Sequence, residues 1–368
     1  MKPARTALGR DDLAPLARAA LGRSRVLTEV RRLRGGSRKG VYRLALDDGS
    51  TAVAYVWSPD EDYWDEQAAD PRDPFSHASG LGLFTAAYER LAAVGVRTPR
   101  LLLADPTGTH LPADAAVVED VPGGSLEALL ERDPYAAAAT LAELAGALDA
   151  MRGHTAPAFG KVAVVDRGGS AYGGSCEAVV RDRALRHIEE AADREPRVAA
   201  VRERLRDRLH ALAAAVPPRT RHCLVHGELG PDHVLVDGEG RPVLIDIEGL
   251  MYFDVEWEHV FLELRLGPRH ADLKPRDLDG ERLRLYRLAM HLSLVAGPLR
   301  LLEGDFEDRG PMRAIAEYNL RRVLDGPEDR PPGIGLRRAR PSGPSETARA
   351  AVEVAGPHGP ASATRTAS

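Results

Sequence analysis

The segment between residues 224 and 258 constrains the fold more than any other part of this chain. It contains two short apolar runs, Val234–Val236 and Val243–Ile245, separated by the glycine-containing turn Asp237–Gly240. Apolar runs of this length on either side of such a turn predict a β-hairpin. Acidic and imidazole side chains precede the first run and follow the second. These side chains are His226, Glu228, His233, Asp246 and Glu248.

A hairpin brings its two ends together, so the flanking carboxylates and imidazoles are expected to converge at one mouth. Mg²⁺ takes oxygen ligands, and proteins commonly hold it with one or two carboxylates together with substrate phosphates. Rigid strand ends position such ligands more accurately than loops do. The segment therefore predicts a site for Mg²⁺ and a nucleotide.

The same segment resembles the catalytic core of the aminoglycoside phosphotransferase and choline kinase-like family, which is related to the protein kinases. The family pattern is H-G-D-x-x-x-x-N, a hairpin, I-D-F/W-E/D, and then G-D-P-x-x-D. Here the corresponding letters are HGELGPDH, IDIEG and FDVEWE. The resemblance implies an α+β, bilobal protein kinase-like fold. Its N-lobe would hold an antiparallel sheet plus a helix, and its mainly helical C-lobe would carry the catalytic hairpin.

The resemblance also implies chemical roles for the acidic residues. Asp246 would be the catalytic Mg²⁺ ligand that bridges the nucleotide phosphates. Glu248 would be a supporting carboxylate, or else a solvated glutamate. Glu228 replaces the family aspartate that accepts the proton of the substrate hydroxyl. It is one methylene longer, so it is either a working base or a polar residue retained in an inactive site.

His233 replaces the asparagine that binds the second metal in the family. Imidazole is a poor Mg²⁺ ligand and suits transition metals better. Either the site uses one Mg²⁺, or His233 only hydrogen-bonds the loop, and the neighbouring Asp232 could supply an oxygen instead. The candidate metal ligands are Asp246, His233 and Glu248. His226 is expected to pack under the metal-binding turn. Two further acids would brace the catalytic loop; these are Asp254 and Glu258.

The N-lobe departs further from the family. Strand register places Tyr55 where the family has its phosphate-binding lysine, and Phe84 near the partner glutamate. The chain has only four lysines, so the candidates can be counted. Lys39 and Arg43 offer alternative cations for the nucleotide phosphates. In the same cofactor site, backbone groups of Gly36 and Ser37 would cradle phosphate. Adenine would meet the hinge at Glu119 and Val121.

Composition and pattern suggest an organisation into four parts. Residues 1–24 are predicted to form an N-terminal helix, with a helical pattern from Asp11 to Leu21 and an aspartate as its N-cap. Residues 25–124 are predicted to form the N-lobe, with strand-like runs at 26–33, 41–46, 52–57 and 116–121 and an inserted loop at 58–77. Residues 125–325 read as the helical C-lobe. The stretch 326–368 is rich in Pro, Gly, Ser, Thr and Arg and is expected to be disordered.

The charge and cysteine content narrow the class of partner. A chain of 368 residues with a net charge of −5 and no concentrated basic stripe argues against nucleic acid. Two cysteines, without a secretory segment or a long apolar run, indicate a cytoplasmic protein with no membrane partner. The expected partner is a small-molecule substrate carrying a hydroxyl group. The protein would be a monomer or a homodimer.

Two functions remain open on these residues. One is an ATP-dependent phosphotransferase, with ATP and Mg²⁺ as cofactors, acting on a hydroxyl of a small molecule. An aminoglycoside, another antibiotic, an amino alcohol or a sugar would be the acceptor, and antibiotic resistance would be one consequence. The other is a nucleotide-binding pseudokinase with a regulatory or scaffold role. This second hypothesis is motivated by the joint loss of the strand lysine, the helix glutamate and the loop asparagine.

Overall fold

The computed structural model describes the chain in six stretches. These are residues 7–33, 38–61, 70–76, 79–106, 108–304 and 309–326. The expected phosphate-cradling residues Gly36 and Ser37 lie outside them, as does the C-terminal tail beyond Gly326. The inserted loop is described at its two ends, residues 58–61 and 70–76.

The N-lobe is built on a five-stranded sheet in which every neighbouring pair is antiparallel. Its strands are β1 (Leu27–Arg32), β2 (Gly40–Leu46), β3 (Thr51–Trp57), β4 (Leu101–Asp105) and β5 (Asp114–Glu119), in the order β1-β2-β3-β5-β4. The three strands predicted at the start of the lobe are confirmed to within one residue. The strand predicted to run to Val121 ends at Glu119, because the next residue, Asp120, is held by Arg43 of β2.

One helix covers each face of this sheet. Helix α1 (Arg10–Leu21) lies on the outer face, where its Leu13 packs with Tyr42 and Leu44 of β2. Successive strand residues point to opposite faces of the sheet. The face opposite α1 packs against helix α2 (Leu81–Ala93) and the C-lobe.

The cap of α1 differs from the sequence expectation. The helix starts one residue before Asp11, and its N-cap is Gly9 rather than an aspartate. The Asp12 carboxylate instead accepts the N–H of Gly9 at 2.8 Å. An acid in the first turn thus satisfies the helix terminus from inside the helix.

The C-lobe is mainly helical. Its helices are α3 (Leu126–Arg132), α4 (Ala136–Gly153), α5 (Val162–Val165), α6 (Cys176–Ala192), α7 (Pro196–Ala199), α8 (Arg202–Ala215), α9 (Val255–Leu266), α10 (Gly280–Leu301) and α11 (Arg309–Asp325). A buried apolar cluster joins α6, α8, α9, α10 and α11 into one core. Across the described stretches of the chain, no helix is long and apolar enough to cross a membrane.

Six short strands lie in the described part of the C-lobe. They are β6 (Thr155–Ala156), β7 (Gly160–Lys161), β8 (His222–Val225), β9 (Val234–Val236), β10 (Pro242–Leu244) and β11 (Met251–Phe253). Strands β9 and β10 form the predicted hairpin, with Leu235 opposite Val243. The other four form a sheet in the order β6-β8-β11-β7. The antiparallel N-lobe sheet and the helical C-lobe confirm the α+β bilobal architecture.

The hinge between the lobes is tied to the β9–β10 hairpin. Val236 donates its N–H to the Gly124 carbonyl at 2.9 Å. A Cβ atom on Gly123 would lie 1.9 Å from the Val236 oxygen, so this close approach requires glycine. The end of β9 is therefore held directly against the hinge backbone.

Candidate active site

The predicted convergence at the hairpin mouth is present in the structure. Ile245 donates its N–H to the His233 carbonyl at 3.0 Å, which joins the end of one strand to the start of the other. Nε2 of His233 lies 3.5 Å from Oδ2 of Asp246. Residues on the two sides of the hairpin thus face each other at one point.

Asp246 has a special backbone conformation. With φ 61° and ψ 46°, it is the one non-glycine residue with positive φ in the described stretches. Such a conformation carries strain in a non-glycine residue and clusters at functional sites. The preceding carbonyl, that of Ile245, lies 3.0 Å from Nε2 of His226. His226 therefore supports this turn from below, as expected.

Lys39 lies in the centre of the site. Its Nζ donates to Asp246 Oδ1 at 3.1 Å and also contacts Glu248 Oε1, and the residue is only 7% exposed. Burial lowers the pKa of Lys39, but the charges of Glu248 and Asp246 outweigh this effect and raise the pKa above its ordinary value. Lys39 is therefore a fixed positive charge.

Arg43 occupies a different position. Its guanidinium pairs with the Asp120 carboxylate, with nitrogen–oxygen distances of 2.9 and 2.7 Å. This pair links β2 to the first residue of the hinge, whereas the Lys39 ammonium lies at the Asp246 carboxylate. Of the two cations proposed from the sequence, Lys39 is the one at the hairpin mouth.

An aromatic pair occupies the places where the resemblance would put a lysine and a glutamate. The Tyr55 and Phe84 rings meet edge to face with their centroids 5.6 Å apart. The Lys39 ammonium lies 4.8 Å from the centre of the Tyr55 ring, within the range of a cation–π contact. Glu89 of α2 is exposed on another face of the helix. A lysine from the loop therefore reaches the space beside a strand position that holds tyrosine.

Glu228 is exposed, while Gly227 and Leu229 on either side of it are buried. The buried Glu258 accepts the N–H groups of both neighbours, at 2.8 and 3.3 Å. Trp257 donates its indole N–H to the Gly227 carbonyl at 3.1 Å. Gly227 has φ 93°, a conformation that favours glycine. A braced backbone thus presents the Glu228 carboxylate to solvent.

The imidazole of His233 is oriented by the same loop. Its Nδ1 lies 2.8 Å from the Glu228 carbonyl, so Nδ1 must carry the proton in this contact. The other ring nitrogen then faces Asp246. His233 therefore hydrogen-bonds the loop and directs its second ring nitrogen toward the Asp246 carboxylate, while a metal role for it stays a prediction.

Glu248 is not a solvated glutamate, because only 4% of it is exposed. One carboxylate oxygen contacts Lys39. The other, Oε2, is buried and has no hydrogen-bond partner among the described residues. An orphaned buried carboxylate oxygen is a suitable ligand for a metal ion or its bound water.

The hinge residues are fixed by neighbouring arginines. The Glu119 carboxylate accepts from Arg97 at 3.2 Å and from the N–H of Arg100 at 3.1 Å. Val121 is buried at the end of the hinge. Both the side chain and the N–H of Glu119 are thus engaged within the protein, since the N–H donates to the Arg100 carbonyl at 2.9 Å.

Sequence reasoning missed two basic residues near Glu228. Lys161 is 1% exposed, and burial lowers its pKa to about 8, although Asp73 and Glu228 oppose this. Burial likewise lowers the pKa of Arg183 to about 10, against the same two carboxylates. The available signal was the scarcity of lysine, because Lys161 is one of only four.

A buried cluster of Cys176, His222 and Asp254 brings three potential metal-ligand atoms within 4.8 Å of one another. Asp254 accepts from Arg282 and Tyr286, and its charge is thus compensated within the protein. Burial raises the pKa of the Cys176 thiol well above its ordinary value, and this disfavours the thiolate that a metal needs. These interactions favour a structural role for the cluster, while the bracing of the catalytic loop by Asp254 stays a prediction.

The chain matches the model of the phosphotransferase enzyme family over residues 29–289. No curated protein matches it in sequence. Among solved structures, it is similar to a thermostable mutant of aminoglycoside phosphotransferase APH(4)-Ia in a ternary complex with ADP and hygromycin B. That likeness has 19% identity and a TM-score of 0.55, and covers 80% of this chain and 94% of the other.

Two further structures extend the likeness. Spectinomycin phosphotransferase APH(9)-Ia, in complex with ADP and spectinomycin, has 11% identity and a TM-score of 0.58, with 87% and 98% covered. A putative fructosamine-3-kinase from Thermobifida fusca has 18% identity and a TM-score of 0.51, with 86% and 100% covered. These likenesses establish the same fold at low identity.

Proposed function

Since the chain belongs to the phosphotransferase enzyme family, we propose that it transfers the terminal phosphoryl group of ATP to a hydroxyl group of a small molecule. The observation that carries this proposal is the buried Lys39 ammonium, which contacts the carboxylates of Asp246 and Glu248. A pseudokinase scaffold would not need a loop lysine at the metal-binding carboxylates. Here a positive charge is retained although the strand position holds Tyr55.

Each residue has a role in this reaction. The exposed Glu228 carboxylate accepts the proton of the attacking hydroxyl. The hydroxyl oxygen forms a new bond to the terminal phosphorus, the bond from that phosphorus to the ADP oxygen breaks, and ADP leaves. Lys39 offers positive charge to the phosphates. Phosphoryl transfer depends mainly on positioning and on charge stabilisation, so the longer glutamate is compatible with turnover.

The donor set at the hairpin mouth fits a divalent metal ion. Asp246 Oδ2 and His233 Nε2 are 3.5 Å apart, and two ligands at about 2.1 Å from one ion lie roughly 3 to 3.5 Å apart. A bound Mg²⁺ or Mn²⁺ would neutralise charge on the phosphates. The nitrogen donor suits Mn²⁺ better than Mg²⁺.

The neighbouring structures support both halves of the proposal. Those of APH(4)-Ia and APH(9)-Ia were solved with ADP and with the small molecules hygromycin B and spectinomycin. The putative fructosamine-3-kinase is named for a different acceptor. An acceptor panel should therefore include aminoglycosides, other antibiotics, amino alcohols and sugar amines.

A second candidate function is a nucleotide-binding pseudokinase. The observation that favours it is the Tyr55–Phe84 aromatic contact at the positions of the lysine–glutamate pair. Such a protein would bind ATP without transferring phosphate. Thermal stabilisation by ATP and metal would then occur without any phosphorylated product.

The test is ADP release over the acceptor panel, with Mg²⁺ and with Mn²⁺, followed by mass analysis of the acceptor. We expect a product larger by one phosphoryl group. We also expect a rate lower by about 10² to 10⁴-fold in Glu228→Gln, the usual contribution of a general base. ATP-induced stabilisation without product would favour the pseudokinase. Turnover that survives Glu228→Gln would reject the assignment of the base.

A further inference from the structure

The described end of the inserted loop, Asp70–Ser76, lies on the C-lobe although it belongs to the N-lobe connection between β3 and α2. We call it the strap. The Arg72 carbonyl accepts the N–H of Tyr172 at 2.9 Å, and the Arg72 guanidinium stacks 4.0 Å from the centre of the Tyr172 ring. At the other end, Lys161 donates to the carbonyl and the hydroxyl of Ser76, both at 2.7 Å. The strap is thus anchored on the C-lobe at both ends.

Between these anchors, Phe75 inserts its ring into the C-lobe. The ring centroid lies 5.5 Å from that of Phe253 and 4.8 Å from that of Trp257. On another side, the Arg183 guanidinium lies 4.5 Å from the ring centre, in cation–π range. Phe75 is therefore packed among residues of β11, α9 and α6, where aromatic contacts contribute beyond buried area.

Trp257 connects this contact to the catalytic loop. Its indole N–H donates to the Gly227 carbonyl at 3.1 Å, and the next residue is Glu228. The two buried cations that meet the strap, Lys161 and Arg183, also interact electrostatically with Glu228. One short path of contacts therefore runs from the strap to the carboxylate that would accept the substrate proton.

We propose that Phe75 is a positioning residue that orients Glu228 by fixing the Trp257 indole against the Gly227 carbonyl. An insertion of the N-lobe then controls the geometry of the catalytic loop in the C-lobe. The proposal rests on the proposed function for its effect on turnover. Its structural part, the support of the loop by the strap, stands without that function.

The structural part is tested by hydrogen exchange, which needs no activity. We expect the amide hydrogens of Gly227 and Leu229 to exchange at least about tenfold faster in Phe75→Ala than in the unmodified protein. In Phe75→Leu, the exchange rate should return part of the way to that of the unmodified protein. The matched control is Tyr172→Ala, which loosens the far anchor of the strap without touching Trp257. Unchanged exchange in both Phe75 variants would overturn the proposal. So would equal acceleration in Tyr172→Ala, because the effect would then belong to strap docking in general. If Phe75→Ala fails to fold, Phe75→Leu carries the test.

The functional part is tested by steady-state kinetics on the acceptor found in the panel. A displacement of roughly 1 Å at a reacting group costs about 10²-fold in rate. We therefore expect Phe75→Ala to lower kcat by tenfold to a hundredfold, with KM for ATP within about twofold of its original value. Tyr172→Ala should change neither. A rise in KM for ATP at unchanged kcat would overturn the positioning role. Absence of turnover in the unmodified protein would instead reject the proposed function, and the exchange result would still decide the structural part.

Discussion

The two lobes build their halves of the site in different ways. In the C-lobe, Asp246 and Glu228 stand on a hairpin and a loop whose backbone is held by the buried side chains of His226, Trp257 and Glu258. In the N-lobe, an aromatic contact replaces an ion pair, and the cation arrives from the loop before β2. A positive charge can therefore be supplied by a residue outside the expected strand position. The Asp246 and Glu228 carboxylates, in contrast, depend on the buried side chains that hold their backbone in place.

The largest expected effect comes from the C-lobe half. Asp246→Ala removes the carboxylate at the hairpin mouth and should lower product formation about 10³-fold, the upper range for loss of one electrostatic stabiliser. Metal binding, followed by Mn²⁺ titration, should weaken in parallel. The matched control is Glu89→Ala, which removes an exposed carboxylate of α2. A comparable loss in Glu89→Ala would show that the N-lobe keeps a functional helix glutamate and would break the comparison.

The C-lobe also contains a pair of buried histidines, which are expected to make its folding stability sensitive to acid. Nδ1 of His259, the residue after Glu258, lies 3.0 Å from Nε2 of His270. Burial lowers the pKa of His259 to about 3 and that of His270 to about 4. The unfolded chain binds these protons near pH 6.5. The unfolded chain therefore binds more protons than the folded protein below pH 6.5. The free energy of unfolding is unaffected by the pair above pH 6.5 and decreases as the pH falls toward 4.

We expect a loss of about 2 kcal/mol per histidine between pH 6.5 and pH 5, since each unit of pH contributes about 1.4 kcal/mol per displaced proton. Urea unfolding at the two pH values measures it. The double substitution His259→Gln with His270→Gln should remove most of this pH dependence. Equal pH dependence in the two proteins would show that the acid sensitivity lies outside this pair.

A smaller effect concerns the choice of metal. His233→Asn replaces the imidazole nitrogen by an amide oxygen, a harder ligand. Mn²⁺ affinity in the presence of ADP should fall about tenfold relative to Mg²⁺ affinity, a size typical of changed ligand support. Electron paramagnetic resonance of Mn²⁺ reads this binding directly and independently of turnover. An unchanged ratio of the two affinities would mean that His233 serves only to hold the Glu228 carbonyl.

Local pattern predicted the parts of the fold that depend on neighbouring residues. Alternating or continuous apolar runs around turns predicted the β9–β10 hairpin and the first three strands of the N-lobe. The predicted bounds of these strands agree with the structure to within about one residue. The convergence of His233 and Asp246 follows from hairpin geometry. The roles of the strand-end residues came from a resemblance concentrated in one segment, and they remain predictions for this chain.

Contacts between distant parts of the chain could not be predicted in the same way. Lys39 and Glu248 are separated by 209 residues, and their meeting depends on how the lobes pack. The sequence therefore left Lys39 and Arg43 as equal alternatives. The docking of Phe75 on Trp257 was missed for the same reason, because an inserted loop shows neither helical nor strand periodicity.

The central claim is that Lys39 supplies the phosphate-facing charge of the N-lobe. Calorimetric titration of ATP, in the presence of a divalent metal, into the unmodified protein, Lys39→Met and Arg43→Met tests it most directly. The double substitution Lys39→Met with Glu248→Gln excludes an effect of an unpaired buried charge. We predict that Lys39→Met raises the Kd for ATP at least about tenfold, or 1.4 kcal/mol, and that Arg43→Met raises it less than about threefold. Unchanged affinity in Lys39→Met, or a larger loss in Arg43→Met, would contradict the account.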